Sequence, residues 1–265
     1  MKTVIVVPAR YASTRYPGKP LVPLKGAGGG TRSLIRRSWD AACAVPVVDR
    51  IIVATDDERI ADAARGFGAE VAMTPEQCRN GTERCAAVLP SLGDVDIVVN
   101  LQGDAPLTPS AFVSALLEAM MADEQIEVAT PVLRATPDVR RRLLADQRAG
   151  RVGGTTAALA SNGDALYFSK SVIPHLPDDR LSDADVPLFL HIGVYAYRRA
   201  ALETYVSLKP TPLELLEGLE QLRFLEGGLP VRAVEVASPG WDIWELNNPQ
   251  DVAPIEAALA ARGLD

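Results

Sequence analysis

Val4-Ile5-Val6-Val7 runs straight into Pro8-Ala9-Arg10-Tyr11-Ala12-Ser13-Thr14-Arg15-Tyr16-Pro17-Gly18-Lys19-Pro20, and the reading of this junction decides the fold. Four successive apolar residues, three of them valine, describe a strand buried on both faces, as in parallel sheets covered by helices. The loop that follows has the opposite chemistry. Three permanent cations, Arg10, Arg15 and Lys19, fall within ten residues, interleaved with Ser13, Thr14 and Gly18. Small residues admit a ligand close to the backbone, and N–H groups with guanidinium forks suit phosphate oxygens. Pro17 and Pro20 stiffen the loop, so less order is lost when a polyanion binds. Open α/β sheets take their ligands at the carboxyl ends of strands, and the loop reads as a polyphosphate cradle. A solvated loop is the plain alternative.

Outward from the junction, apolar runs and amphipathic stretches alternate. Strands are expected at residues 50–55, 70–73, 96–101 and 128–133. Helices are expected at 31–44 with Thr31 as cap, from Asp56 and Asp57 to about residue 65, at 80–92 and at 109–121. Continuous apolar runs separated by helices indicate a parallel sheet with helices on both faces. The run Lys25-Gly26-Ala27-Gly28-Gly29-Gly30 reads as a flexible turn, because no GxGxxG with a following helix is present at the right spacing. Beyond residue 134 the pattern changes to a polar helix and loop at 137–150, a strand at 164–169, an acidic loop at 174–187 and a strand at 191–197. Helices at 200–207 and 212–225, a strand at 231–236 and a closing helix from Pro249 complete the reading. The expectation is a single domain over 1–265 with a smaller α+β subdomain inserted at about 134–210.

Composition narrows the function. With 48% hydrophobic and 23% charged residues the 265-residue chain can bury a core. A net charge of −7 argues against a nucleic-acid binder, so affinity for phosphate has to be local. Cys43, Cys78 and Cys85 offer no CxxC and no nearby histidine, which speaks against zinc and against a disulfide framework. The apolar start is too short for a signal peptide and no run of about 18 apolar residues exists, so a cytoplasmic protein without a membrane span is expected.

Asp104 is the sharpest chemical candidate. It follows an apolar strand within Gln102-Gly103-Asp104-Ala105-Pro106, and a carboxylate there can hold Mg²⁺ against phosphate oxygens. Its plainer reading is a turn-forming aspartate. Asn80-Gly81-Thr82-Glu83-Arg84 offers small residues at a helix start, a base or ribose site or an ordinary cap. His191 is one of two histidines, either structural or functional. Glu217, Glu220 and Gln221 share one face of the expected 212–225 helix by their spacing, as a site or as a solvated face. Trp241 and Trp244 read as packing anchors.

Together the pieces resemble the CMP-Kdo synthetase (3-deoxy-manno-octulosonate cytidylyltransferase) family. The loop from Pro8 to Leu21 looks like its signature. So do Ala54-Thr55-Asp56, Gly81-Thr82-Glu83-Arg84, Asn100-Leu101-Gln102-Gly103-Asp104, Ala165-Leu166-Tyr167-Phe168-Ser169 and His191-Ile192-Gly193-Val194-Tyr195. Pro212-Leu213-Glu214 and Leu219-Glu220-Gln221-Leu222-Arg223 complete the match, which runs from residue 4 to about 255. The resemblance implies an α/β fold with a Rossmann-like, mostly parallel sheet of the nucleotide-diphospho-sugar transferase type. It implies in-line attack of an acceptor oxygen on the α-phosphorus of CTP with release of pyrophosphate. The apolar alternation at 191–197 suits a dimer face, and a homodimer is expected. Arg10, Arg15 and Lys19 would then hold the triphosphate and act with Asp104 in catalysis. Ala9, Ser13, Thr14, Asn80, Gly81, Thr82 and Gln102 would line the nucleotide, and Gln102, His191, Tyr195, Glu220 and Gln221 the acceptor.

The departures from the family pattern are Ala105 where an acidic residue follows the metal aspartate, Gly153 and Thr156 at an asparagine-to-lysine motif, and Asn247 where an aspartate completes the metal site. Asp104 and Asn247 are thus the expected Mg²⁺ ligands, with Asp242 or Glu245 as substitutes. The expected acceptor is Kdo or a Kdo-like sugar acid. The alternatives are a different acid, such as the phosphonate phosphonoformate of a secondary-metabolite pathway, or an inactive nucleotide-binding homologue.

Overall fold

The computed structural model describes every residue except Thr14, which lies outside the described residues. The chain folds in two compact units, Met1–Ser114 with Pro239–Asp265, and Ala115–Ser238.

The first unit opens with β1 (Thr3–Ala9), buried at all seven positions. A hairpin follows, β2 (Pro23–Lys25) with β3 (Thr31–Ser33), then α1 (Leu34–Cys43), β4 (Arg50–Thr55), α2 (Glu58–Gly66) and β5 (Glu70–Met73). Next come α3 (Gly81–Leu92), β6 (Ile97–Leu101) and α4 (Ser110–Ala122), within which this segment of the unit ends. β1 pairs in parallel with β4 and β6, and β4 with β5, giving the order β5-β4-β1-β6. This is the α/β, parallel-sheet architecture that the uninterrupted apolar runs imply. The carboxyl ends of β1 and β6 are neighbours in it, which is what the site requires.

Two details differ from the sequence reading. Thr31 does not cap a helix, because Thr31–Ser33 is paired with Pro23–Lys25 and the helix begins at Leu34. The glycine run is the turn of that hairpin, closed by the Gly26 N–H donating to Gly30 O at 2.8 Å. Only Asp57 of the expected capping pair caps α2; Asp56 instead accepts from the buried Arg84 at 2.9 Å.

The second unit contains β7 (Val128–Arg134), α5 (Pro137–Arg148), β8 (Thr156–Leu159), β9 (Ala165–Ser169), β10 (Phe189–His191) and β11 (Val194–Arg198). It continues with α6 (Arg199–Ser207), α7 (Pro212–Glu217), α8 (Leu222–Glu226) and β12 (Arg232–Glu235). It is the α+β part of the chain. Ala129 of β7 pairs both with Ala196 and with Arg232, and Val132 both with His191 and with Glu235. A strand has two edges, so β12 lies on one edge of β7 while β11 and β10 share the other, end to end. The expected single strand at 191–197 is therefore two strands, parted at Ile192 and Gly193, where Ile192 N–H donates to Pro131 O. The expected helix at 212–225 is likewise two, because Gly218 adopts φ 62° and ends α7 there. Glu217, Glu220 and Gln221 consequently share no helical face. β8 went unrecognised in Thr156-Ala157-Ala158-Leu159, which carries no strong strand signal.

The chain returns to the first unit for α9 (Val252–Ala261), whose Ile255 and Leu259 join Leu24, Leu34, Leu107 and Leu246 in one core cluster. Tyr16 and Val22 pack against the same cluster. Among the described residues no helix is long and apolar enough to cross a membrane.

Candidate active site

The loop after β1 and the loop after β6 meet closely. A Cβ on Gly103 would lie 2.5 Å from the Pro8 carbonyl oxygen, so only glycine fits. The next residue, Asp104, accepts from Lys19 Nζ at 2.5 Å through Oδ2. The same ammonium donates to the Leu246 carbonyl at 3.1 Å, and Leu246 N–H donates to the Asp104 carbonyl at 2.9 Å. Lys19 thus ties together the β1 loop, the β6 loop and the segment before α9.

Arg15 belongs to the same group of residues. Its guanidinium donates to Asn247 Oδ1 at 2.8 Å, and Asn247 Nδ2 faces Glu245 Oε2 at 3.4 Å. Both ends of the Asn247 amide are in use, and its oxygen could ligate a metal only by giving up Arg15. The Glu245 carboxyl is pushed up to about 7, by burial first and then by the negative charge of Asp104; the Asn247 contact, Lys19 and Arg15 oppose this. Arg10, at the end of β1, is exposed, and Ser13 Oγ accepts from the Tyr16 N–H at 3.3 Å, shaping the loop.

Asn80 caps α3 by accepting from Glu83 N–H at 2.8 Å. A Cβ on the next residue, Gly81, would lie 2.8 Å from Asn100 Nδ2 and 2.9 Å from Gln102 Nε2, so Gly81 and these two amides are in close contact. Thr82 is fully buried and so belongs to the core side of the helix. Asn100 is a participant that the sequence reading passed over; the available signal was one amide interrupting the apolar run of β6.

In the second unit His191, Tyr195 and Gln221 are brought together. The His191 and Tyr195 rings lie 5.4 Å apart, and the Tyr195 hydroxyl donates to Gln221 Oε1 at 3.0 Å. Glu220 is next in sequence, and its carbonyl accepts from Tyr205 OH at 3.2 Å. The Gln221 side chain is buried, and its Nε2 has no hydrogen-bond partner among the described residues. The Thr130 hydroxyl lies 3.0 Å from His191 Nε2 and donates to Val194 O at 2.8 Å. Burial pushes the His191 pKa down to about 3, and the ring is neutral at physiological pH.

Residues 4–232 match the family model described as cytidylyltransferase. The chain belongs to the CMP-Kdo synthetase family of cytidylyltransferases. A 3-deoxy-manno-octulosonate cytidylyltransferase of Maricaulis maris is 46% identical over 99% of this chain and 99% of its own length. One from Myxococcus xanthus is 42% identical over 99% and 98%. The solved structure of CMP:2-keto-3-deoxy-manno-octonic acid synthetase complexed with CTP aligns with a TM-score of 0.84 at 33% identity, covering 99% of this chain and 100% of that one. This cytidylyltransferase is accordingly an enzyme of the nucleotidyltransferase class, as the resemblance implied.

Proposed function

We propose that the chain transfers CMP from CTP to Kdo or a Kdo-like sugar acid and releases pyrophosphate. The observation that carries this reading is the convergence of Lys19, Arg15, Asp104 and Glu245 at the carboxyl ends of β1 and β6. The names of the relatives support Kdo as the acceptor.

Arg10, Arg15 and Lys19 hold the triphosphate, and the two guanidinium groups can grip phosphate oxygens in pairs. Gly81, Asn100 and Gln102 supply a small-residue floor and amide donors for the nucleoside. The reaction needs no covalent nucleophile, because fixing the acceptor oxygen in line with the α-phosphorus and neutralising charge on the leaving pyrophosphate lower the barrier. Lys19 already neutralises one carboxylate and donates to the Leu246 carbonyl, and its remaining N–H bond turns to the phosphates.

The donor set fits Mg²⁺. Among the described residues no three His, Cys, Asp or Glu side chains gather for a metal, but Mg²⁺ asks for only one or two carboxylates beside phosphates and water. Asp104 would hold it together with Glu245, whose carboxyl feels the charge of Asp104, with Asn247 as the residue that orients Glu245. Mg²⁺ there supplies further neutralisation of the phosphate oxygens.

The second unit's cluster suits an acidic, hydroxylated acceptor. Gln221 Nε2 is a buried donor without a partner, which costs about 1–3 kcal/mol until an oxygen of the acceptor accepts from it. The neutral His191 offers a ring nitrogen to a hydroxyl. The test is pyrophosphate release from CTP and Mg²⁺ with Kdo, and with phosphonoformate as the competing acid. Release with Kdo alone is expected; release only with the phosphonate overturns the acceptor, and CTP binding without product from either overturns turnover.

A further inference from the structure

The loop that carries Arg10, Arg15 and Lys19 is held from outside by a contact that no part of the reaction explains. The Tyr11 carbonyl accepts from Ser13 N–H at 3.0 Å and from Gly18 N–H at 2.9 Å, which ties Gly18 back to Tyr11. Gly18 sits at φ 72°, and a Cβ on it would lie 3.1 Å from the Tyr11 ring and hydroxyl. The ring is therefore laid against the glycine that immediately precedes Lys19. The Arg59 guanidinium carbon lies 3.4 Å from the centre of the same ring.

Arg59 is itself fixed. Its Nε and one terminal nitrogen donate to Asp57 Oδ1 and Oδ2 at 3.0 and 2.6 Å, and Asp57 caps α2 through the Arg59 N–H at 3.0 Å. With the fork committed to Asp57, the flat face of the guanidinium is what remains, and it is spent on Tyr11. Rigid contacts lead from the start of α2 through Asp57, Arg59, Tyr11 and Gly18 to Lys19, and so to Asp104.

We infer that Tyr11 and Arg59 are positioning residues, a stacked brace that presets the polyphosphate loop so that Lys19 arrives opposite Asp104 before CTP binds. The brace needs the aromatic ring and the flat cationic face together. A loop ordered in advance loses less freedom on binding, so the effect falls on CTP affinity and KM, and little on kcat at saturating CTP. This rests on the reading that the loop carries the triphosphate of CTP.

The test measures CTP binding by calorimetry and KM and kcat by pyrophosphate release, with Tyr11→Phe, Tyr11→Leu, Arg59→Lys and Lys19→Ala in the full chain. Arg59 is mostly exposed, so its substitution leaves the core intact. Arg59→Lys keeps the charge but loses the flat face, and it should weaken CTP binding by about threefold, the size of an exposed stack. Tyr11→Leu should weaken it by about tenfold, because ring and brace go together. Tyr11→Phe should restore binding to within about twofold of the parent, since the ring is kept. Parent-like CTP affinity in both Tyr11→Leu and Arg59→Lys overturns the brace, as does a fall in kcat with KM unchanged. Unchanged affinity in Lys19→Ala overturns the triphosphate reading, and the brace falls with it.

Discussion

Asp104 is held at two points, its carboxylate by Lys19 and its carbonyl by the Leu246 N–H, and an amide oxygen in place of the carboxylate could still accept from Lys19. Asp104→Asn keeps the shape and removes one unit of negative charge from the proposed Mg²⁺ site. Turnover should drop by about 100-fold or more while the thermal midpoint stays within a few degrees, measured by pyrophosphate release and calorimetry. Asn247 gives a second prediction at this scale. Its amide donates towards Glu245 and accepts from Arg15, and an aspartate there would set two carboxylates face to face. Asn247→Asp should lower activity, and adding Glu245→Gln should recover it, with a coupling of about 1–3 kcal/mol in the double-mutant cycle. Independent effects of the two substitutions would show that Glu245 is no partner of Asn247. That Arg15, Lys19 and Asp104 come to one place was legible in the sequence, because their loops follow apolar strands expected in one parallel sheet. Tyr11 and Arg59 were not, since a stack between residues on separate elements leaves no local pattern.

At the scale of elements, α9 is the outer wall of the loop. Its Leu259 and Ile255 pack with Leu246, and Tyr16 of the loop after β1, with Val22 just beyond that loop, lies against the same cluster. Leu259→Ala, at a site only 2% exposed, should cost about 2–5 kcal/mol of stability in urea titration. It should also weaken CTP binding, because Tyr16 loses its backing; a stability loss without any change in CTP affinity would mean that the loop is indifferent to this wall. The parallel strands were readable as runs of β-branched residues, and the helices between them from their periodicity. The breaks were not. Gly218 stands in a stretch of leucine and glutamate that favours helix on propensity alone, and only its left-handed backbone ends α7. The hairpin at residues 23–33 was missed for a related reason, three-residue strands being too short to show alternation.

For the molecule as a whole, acid sensitivity follows from His191. Its pKa is lowered by burial from 6.5 to about 3, so below pH 6.5 the unfolded chain binds a proton that the folded chain refuses. The stability contributed by the neutral ring is complete above pH 6.5 and is lost as pH falls from there towards 3, by up to about 1.4 kcal/mol per pH unit. Urea midpoints at pH 7 and pH 5 should therefore converge in His191→Gln relative to the parent, and equal slopes in both proteins would show that the imidazole is solvated. The fold class was legible in local motifs; the second unit was less so, because its antiparallel pairings bring together strands whose register no short motif specifies. The loop–Asp104 constellation also joins distant parts of the chain, for Lys19 reaches the carbonyl of a residue 227 positions later and Arg15 a side chain 232 positions later. A polypeptide emerging from the ribosome accordingly has the whole parallel sheet in hand long before it can grip a nucleotide. Prematurely terminated products that stop short of residue 246 would be synthesised as scaffolds without a working grip.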